Sequence, residues 1–289
     1  MGKCYLSTND YEEAHEAIDF ALAIDDSNAE ALTLKAFCYQ QSGELQKSCD
    51  YYLRLAEQQE NKTRAYLALA KTYFEMQDYT SSIYYIEALL DNKDALSKYE
   101  LSELYGDIAL CHAALKHIGV GQASIRRSLE LNENDPDTLI VAGRFFLMEA
   151  KACNDETAKA ENQAKGELYF RQALNLIMED ERLDYLFTIG AACFDTQNFK
   201  LAAQDYEQIN REFPDNAPAT YFFLAYCYFY LEEAISCMHY IAKMKHELPD
   251  AYSNLGTSDS ILSDTRFNEL MRNLKDSVNN GKVDLDNFL

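Results

Sequence analysis

The stretch 65–86, AYLALAKTYFEMQDYTSSIYYI, holds two small residues, Ala70 and Ser82, twelve positions apart. Tyr73 follows the first by three and Ile86 follows the second by four. Steps of three and four return to the same face of an α-helix, so each small residue shares a stripe with a bulky one. The same pair recurs along the chain as Gly2 and Ala14, Ala36 and Ser48, Ala109 and Gly121, Gly190 and Ala202, and Ala225 and Cys237. Gly143 and Gly166 form a seventh pair stretched by an insertion. The first members fall at 2, 36, 70, 109, 143, 190 and 225, in steps of 34, 34, 39, 34, 47 and 35 residues. The bulky partners keep step: Tyr5, Tyr39, Tyr73, His112, Phe146, Cys193 and Tyr228, then Ile18, Tyr52, Ile86, Ile125, Phe170, Tyr206 and Ile241. This pattern predicts two antiparallel helices per repeat, whose small residues let the backbones approach while the large ones fill the space beside the crossing. One such hairpin cannot bury its own apolar face, so hairpins must stack.

Composition agrees. The 289 residues include only 4 Pro and 10 Gly, too few turn formers for a many-stranded β protein, and are 48% hydrophobic, ample for a core. Against 26 Lys and Arg stand 48 Asp and Glu, a formal charge of −22 that repels phosphate backbones and anionic headgroups. No nucleic-acid or membrane partner is expected. The apolar run Tyr221–Leu231 is about half the ~20 residues that cross a bilayer. Met1–Ser7 lacks the apolar stretch of a secretory signal, which predicts a cytoplasmic protein. The eight cysteines form no Cys-x-x-Cys and fall within helical patterns, and Cys4, Cys38, Cys111 and Cys227 share one repeat position. They are expected to be reduced core residues.

Ala70-Lys71-Thr72-Tyr73 and Ala202-Ala203-Gln204-Asp205-Tyr206 carry the small residue, aromatic, alanine and aromatic of the tetratricopeptide repeat, and the chain resembles that family over about residues 1–249. The family's tryptophan is replaced by Leu32, Tyr66, Tyr105, Leu139, Leu186 and Tyr221, and its terminal proline survives as Pro214 and Pro249. The resemblance implies an all-α, right-handed α-solenoid of about seven hairpins. The first repeat is truncated, with Met1 where the middle of its first helix belongs, so either it is a short cap or upstream sequence is missing. Five extra residues in Asp91–Ser102 read as a loop extension, and Asp155 with the helix formers after it reads as the N-cap of an insertion around 151–165 that lengthens the fifth hairpin and projects from the stack. Residues 250–289 leave the repeat: Phe267, Leu270, Met271, Leu274 and Val278 predict an amphipathic capping helix with Asp264 as N-cap. Asn279-Asn280-Gly281 stops it, and an acidic tail follows.

The family's inner surface takes the residues six and three before, and one, four and five after, the first small residue. In the second and third repeats that surface is polar and mixed, with Lys71 among it. From the fourth repeat on it becomes apolar and aromatic, through Leu110, then Ile140, Arg144, Leu147 and Met148, then Phe187 and Phe194, then Phe222, Tyr226, Phe229 and Tyr230. Aromatic surface of this kind marks a binding site. The expected function is therefore a protein-interaction scaffold that takes an apolar or amphipathic peptide segment, with Arg144 and Lys71 catching an acidic group on it. The acid excess favours a basic partner. The alternative covering is the protein's own residues 264–289. Rival readings are a peptide-sensing regulatory array, an accessory segment of a longer enzyme, and self-association through the N-terminal hairpin. A chaperone-tail clamp is not expected, because its places hold Thr33, Phe37, Leu67, Lys71, Gly106 and Leu110. No nucleophile elbow, phosphate loop or His-Glu-x-x-His pair is present, which predicts neither enzyme, cofactor nor metal.

Overall fold

The computed structural model describes residues 11–58, 60, 62–91, 93, 96–254 and 261–279. The described chain is helical with no strand. It divides into two compact units, Met1–Glu133 and Asn134–Leu289. The first holds α1 (Tyr11–Ile24), α2 (Ala29–Gln41), α3 (Leu45–Ala56), α4 (Lys62–Glu75), α5 (Tyr79–Leu90), α6 (Lys98–Ala114) and α7 (Ile118–Leu131). The second holds α8 (Pro136–Ala152), α9 (Glu156–Leu174), α10 (Arg182–Asp195), α11 (Phe199–Glu212), α12 (Tyr221–Tyr230), α13 (Ala234–Glu247), α14 (Pro249–Asn254) and α15 (Thr265–Asn279). Two 3-10 segments, Pro214–Thr220 and Ile261–Ser263, precede α12 and α15. Six hairpins pair α2 with α3, α4 with α5, α6 with α7, α8 with α9, α10 with α11 and α12 with α13. The predicted first helix, with Gly2, Cys4 and Tyr5, lies outside the described residues, as do the stop at Asn280-Gly281 and the acidic tail.

The small residues meet where the spacing requires. Ser82 donates its hydroxyl to the Ala70 carbonyl at 2.8 Å, directly across the α4/α5 crossing. An ideal Cβ on Gly166 would lie 3.0 Å from the Gly143 carbonyl oxygen, so α8 and α9 touch backbone to backbone there. A Cβ on Gly143 would sit 2.4 Å from the Phe170 ring, and one on Gly190 would sit 2.9 Å from the Tyr206 ring. Gly143 and Gly190 are thus each covered by the aromatic that the repeat places four residues after its partner.

A second register of twelve runs three residues later. Tyr39 stacks on Tyr51 at 5.6 Å, Tyr73 on Tyr85 at 5.6 Å and Tyr228 on Tyr240 at 5.9 Å. In the fifth repeat Phe146 stacks on Tyr169 at 5.6 Å, because the insertion moves its partner with Gly166. The sixth repeat breaks the series: Cys193 donates its thiol to Asp205 at 3.7 Å. Burial is the main cause that raises the Asp205 carboxyl to about 7, with Glu167 adding to it and the Cys193 thiol opposing it.

The turns repeat as well. Gly43, Gln77, Lys116, Gln197 and Glu232 all take a left-handed φ of 60° to 77°, seven residues after the first small residue. The N–H of the following residue bonds back to the carbonyl five positions earlier, as in Asp78 to Tyr73 and Asn198 to Cys193, which closes the helix end. Only one of the five is glycine. Helix starts are capped by side chains: Asn28, Asp78, Asp135 and Asp155 each accept a backbone N–H three residues on. The expected loop at 91–102 is shorter than the sequence suggests, because Ser97 and Glu100 form a capping box that starts α6 at Lys98. The insertion lengthens α9 to 19 residues and α8 to 17, against 12 to 14 in the α2/α3 and α4/α5 hairpins. Asp264 accepts the Arg266 N–H at 2.8 Å at the start of α15, the helix expected after the repeats.

Two outcomes follow from this packing. Gly143→Ala adds a methyl against the buried Phe170 ring, and overpacking of about 1–3 kcal/mol exceeds the gain of about 1 kcal/mol in helix propensity, so the melting temperature falls by several degrees. Gly119→Ala, with nothing within 4 Å, leaves it unchanged or raises it. Calorimetry on the two variants separates these signs. For Asp205, the native carboxyl keeps a proton between about pH 4 and 7 that the unfolded chain has lost, so its contribution to stability falls as pH rises through that window and is flat above it. Asp205→Asn therefore raises the melting temperature relative to wild type more at pH 8 than at pH 5.5, and an equal difference at both would refute the assignment.

Candidate functional site

The residues expected on the inner surface separate into two groups. Ile140 and Leu147 are buried in the second unit, Leu147 against Gly166 in the α8/α9 crossing, so neither lines an open surface. Arg144 is partly exposed and comes within 3.8 Å of the Asp195 carboxylate at the end of α10. Lys151 donates to the Asp195 carbonyl at 3.1 Å, so α8 delivers two cations to the negative end of the α10 dipole. Lys71, in the first unit, is exposed on α4. On α2 and α4 the polar positions interlock, Gln40 donating to Glu75 at 2.8 Å.

Five of the remaining positions, Phe187, Phe194, Phe222, Tyr226 and Tyr230, share one aromatic network across α10, α11 and α12. Phe187 meets Tyr206 at 6.4 Å, and Tyr206 stacks on Phe223 at 4.9 Å. Phe194 stands edge-on to Phe199, Phe223 and Tyr226 at 5.7, 5.5 and 6.3 Å. Phe222 packs on Tyr226 at 4.6 Å, and Tyr230 stacks flat on Phe199 at 4.4 Å. Offset and edge-to-face pairs hold ring positions through the ring quadrupoles as well as by burial. Most of these rings are half-buried, while Phe222 stays 39% and Tyr230 42% exposed. The product is a firm aromatic floor with two rings standing proud of it.

Phe199, Phe223 and Tyr206 join this network without being inner-surface positions. Phe199 opens α11 and Phe223 neighbours Phe222 on α12, so the helical pattern puts each on a flank. Their signal was the density of aromatics itself: Tyr221-Phe222-Phe223 and Tyr226 to Tyr230 crowd one ten-residue helix. Behind the floor, Tyr228 and Tyr240 both donate hydroxyls to Glu207 at 3.0 and 2.6 Å, tying α11, α12 and α13 together.

The C-terminal segment reaches the far end of this surface. Ile261 is 1% exposed, and its backbone N–H faces the Tyr226 hydroxyl. Phe267 packs on Phe229 at 6.3 Å, and the Arg266 guanidinium lies over the Phe229 and Tyr230 rings at 5.2 and 5.3 Å. Part of the covering considered from the sequence, by residues 264–289, is thus in place: among the described residues Arg266 and Phe267 meet Phe229 and Tyr230, with Ile261 beside Tyr226.

Histidine and cysteine chemistry is spread out. Among the described residues no group of three or more His, Cys, Asp or Glu could hold a metal ion. His112 and His117 approach through their Nδ1 atoms at 3.3 Å beside the α6/α7 turn. Burial holds the thiols of Cys49 and Cys111 up at about 11 and those of Cys227 and Cys237 at about 12. No described helix is long and apolar enough to cross a membrane.

Comparison with known proteins matches residues 63–94 to the sequence profile of the tetratricopeptide repeat. That span contains the Ala70 and Ser82 pair. No curated protein matches the sequence. Among solved structures, a tetratricopeptide repeat protein from Parabacteroides merdae is similar at 14% identity and TM-score 0.58, over 93% of this chain and 96% of its own. PilW, a widely conserved type IV pilus biogenesis factor, is similar at 17% identity and TM-score 0.52, over 74% of this chain and 90% of its own. At these identities the likeness is one of fold.

Thiol reactivity reports on the burial pattern. Of the described cysteines Cys153 alone is not fully buried, so among them it reacts first with a disulfide reagent under native conditions. Mass mapping of the labelled sites checks this, and early labelling of Cys193 or Cys227 would contradict the packing.

Proposed function

Because the chain is an array of tetratricopeptide-type helical hairpins, we propose that it is a protein-interaction scaffold whose second unit binds an apolar or amphipathic peptide segment of a partner on the aromatic floor of α10 to α12. The observation that carries this reading is the exposure of Phe222 and Tyr230 on a network that fixes their ring positions. Rings of few rotatable bonds lose little entropy on capture, and a preorganised floor lowers the cost of binding. Phe187, Phe194 and Tyr226 give the floor its half-buried body, and Arg144 its flank.

Arg144 shares its charge with Asp195, so an acidic group on the ligand has to compete with that carboxylate. The formal charge of −22 favours basic partners and speeds their encounter, most strongly at low salt. A reducing, cytoplasmic setting belongs to the same proposal, supported by seven described free cysteines. A second reading rests on α1, where Phe20 and Ile24 are largely exposed: self-association through the N-terminal helix. Light scattering of Phe20→Ser/Ile24→Ser against wild type over a concentration series tests it, a strict wild-type monomer excluding it.

For the principal reading, the chain is used as bait in an extract of its native host. Phe222→Ala and Phe187→Ala each lower recovery of the captured partner about fivefold or more, the scale of one anchor ring. Tyr84→Ala, a still more exposed ring in the first unit, leaves recovery unchanged. Full recovery with both second-unit variants folded would overturn the assignment of the surface.

A further inference from the structure

The C-terminal segment shows what chemistry the far end of the aromatic surface accepts. Three features hold it. Ile261 is buried with its backbone beside the Tyr226 hydroxyl. Arg266 lies over two rings, Phe229 and Tyr230, within reach of the Tyr230 hydroxyl, and Phe267 is 9% exposed against Phe229. Phe199 stacks on Tyr230, so the ring that carries the guanidinium is itself fixed. A planar cation over aromatic faces is favourable, and more so on an acidic protein. A neutral side chain in place of arginine would leave the faces of Phe229 and Tyr230 without that attraction.

We infer that Tyr226, Phe229 and Tyr230 form a recognition subsite for an arginine–aromatic pair at the start of a helix, preceded by an aliphatic residue, and that the chain's own Ile261, Arg266 and Phe267 occupy it in competition with a partner segment of that kind. This rests on the reading of the aromatic floor as a peptide-binding surface and specifies the residues its ligand carries. The built-in segment is a moderated ligand. Asp264 engages the Arg266 guanidinium through both carboxylate oxygens, and so compensates the charge that would draw the segment to a host of net charge −22. A partner segment with the same pair and no acid at that place meets the rings with its charge uncompensated. The tether works the other way, since a segment joined to its site by a few residues is present at an effective concentration of about millimolar.

The test uses a fluorescein-labelled synthetic peptide copying residues 259–275, titrated by anisotropy with the full chain. Wild type binds it weakly, because the site is held. Arg266→Ala/Phe267→Ala, which releases the chain's own segment, binds it at least tenfold more tightly. A peptide carrying Asp264→Asn, which keeps the helix cap but removes the compensating charge, binds that variant severalfold more tightly again, and the gain shrinks at high salt. Adding Tyr230→Ala to the released variant abolishes binding. Equal affinity for wild type and the released variant, or no binding to a released variant that melts as a folded protein, would overturn the inference. If the double variant does not fold, Arg266→Ala alone replaces it, with at least a threefold gain required. Failure here is separable from failure of the wider reading. Peptide binding with partner recovery indifferent to Phe187 and Phe222 leaves the subsite and removes the wider floor. Loss of partner recovery with equal peptide affinities does the reverse.

Discussion

Close approach of two helix backbones at small residues is the constraint from which the rest of this structure follows. At the α4/α5 crossing the Ser82 hydroxyl reaches the Ala70 carbonyl at 2.8 Å, and at the α8/α9 crossing Gly166 leaves no room for a side chain against Gly143. Once two helices touch there, positions three and four residues along each must face one another. Stacked tyrosines at 39 and 51, 73 and 85, and 228 and 240 are that consequence. A hairpin so locked presents one stripe to the next hairpin and another away from it, and neither can rotate without separating the crossing.

The proposed function depends on that rigidity. The aromatic floor is assembled from three helices of two successive hairpins, and ring pairs such as Phe194 with Phe223 and Phe199 with Tyr230 exist only while the hairpins stay in register. In the proposed complex, binding energy from Phe222 and Tyr230 would go into the complex rather than into ordering the surface. The sixth repeat sits at the centre of this region and is where the tyrosine stack gives way to Cys193 and Asp205. The Asp205 carboxyl, held up at about 7, means that its contribution to stability in this repeat falls as pH rises from about 4 to 7.

Much of this was legible in the sequence because it rests on spacing. The small-residue pairs, the bulky partners, the Asp155 cap and the helix after Asp264 are local or periodic signals, and each names its own neighbours. Three kinds of feature escaped. Boundaries set by a single side-chain bond, such as the Ser97 and Glu100 box that absorbs part of the predicted loop, compete with loop composition and win only in three dimensions. The distinction between a lining residue and a buried one depends on a small rotation of the helix: Leu147 and Arg144 are both inner-surface positions by count, yet Leu147 turns into the crossing while Arg144 reaches Asp195. Docking of Ile261 and Arg266 on α12 follows no repeat rule, so periodicity could suggest a covering helix and not the rings it would cover.

The crossing itself can be measured directly. In protein labelled with carbon-13 only at its ten glycines, the account predicts a strong nuclear Overhauser effect between the α-protons of Gly143 and Gly166, placing them within about 5 Å across α8 and α9. Assigned signals for both glycines with no cross-peak between them would mean that the helices do not meet at the small residues, and the hairpin register would have to be abandoned.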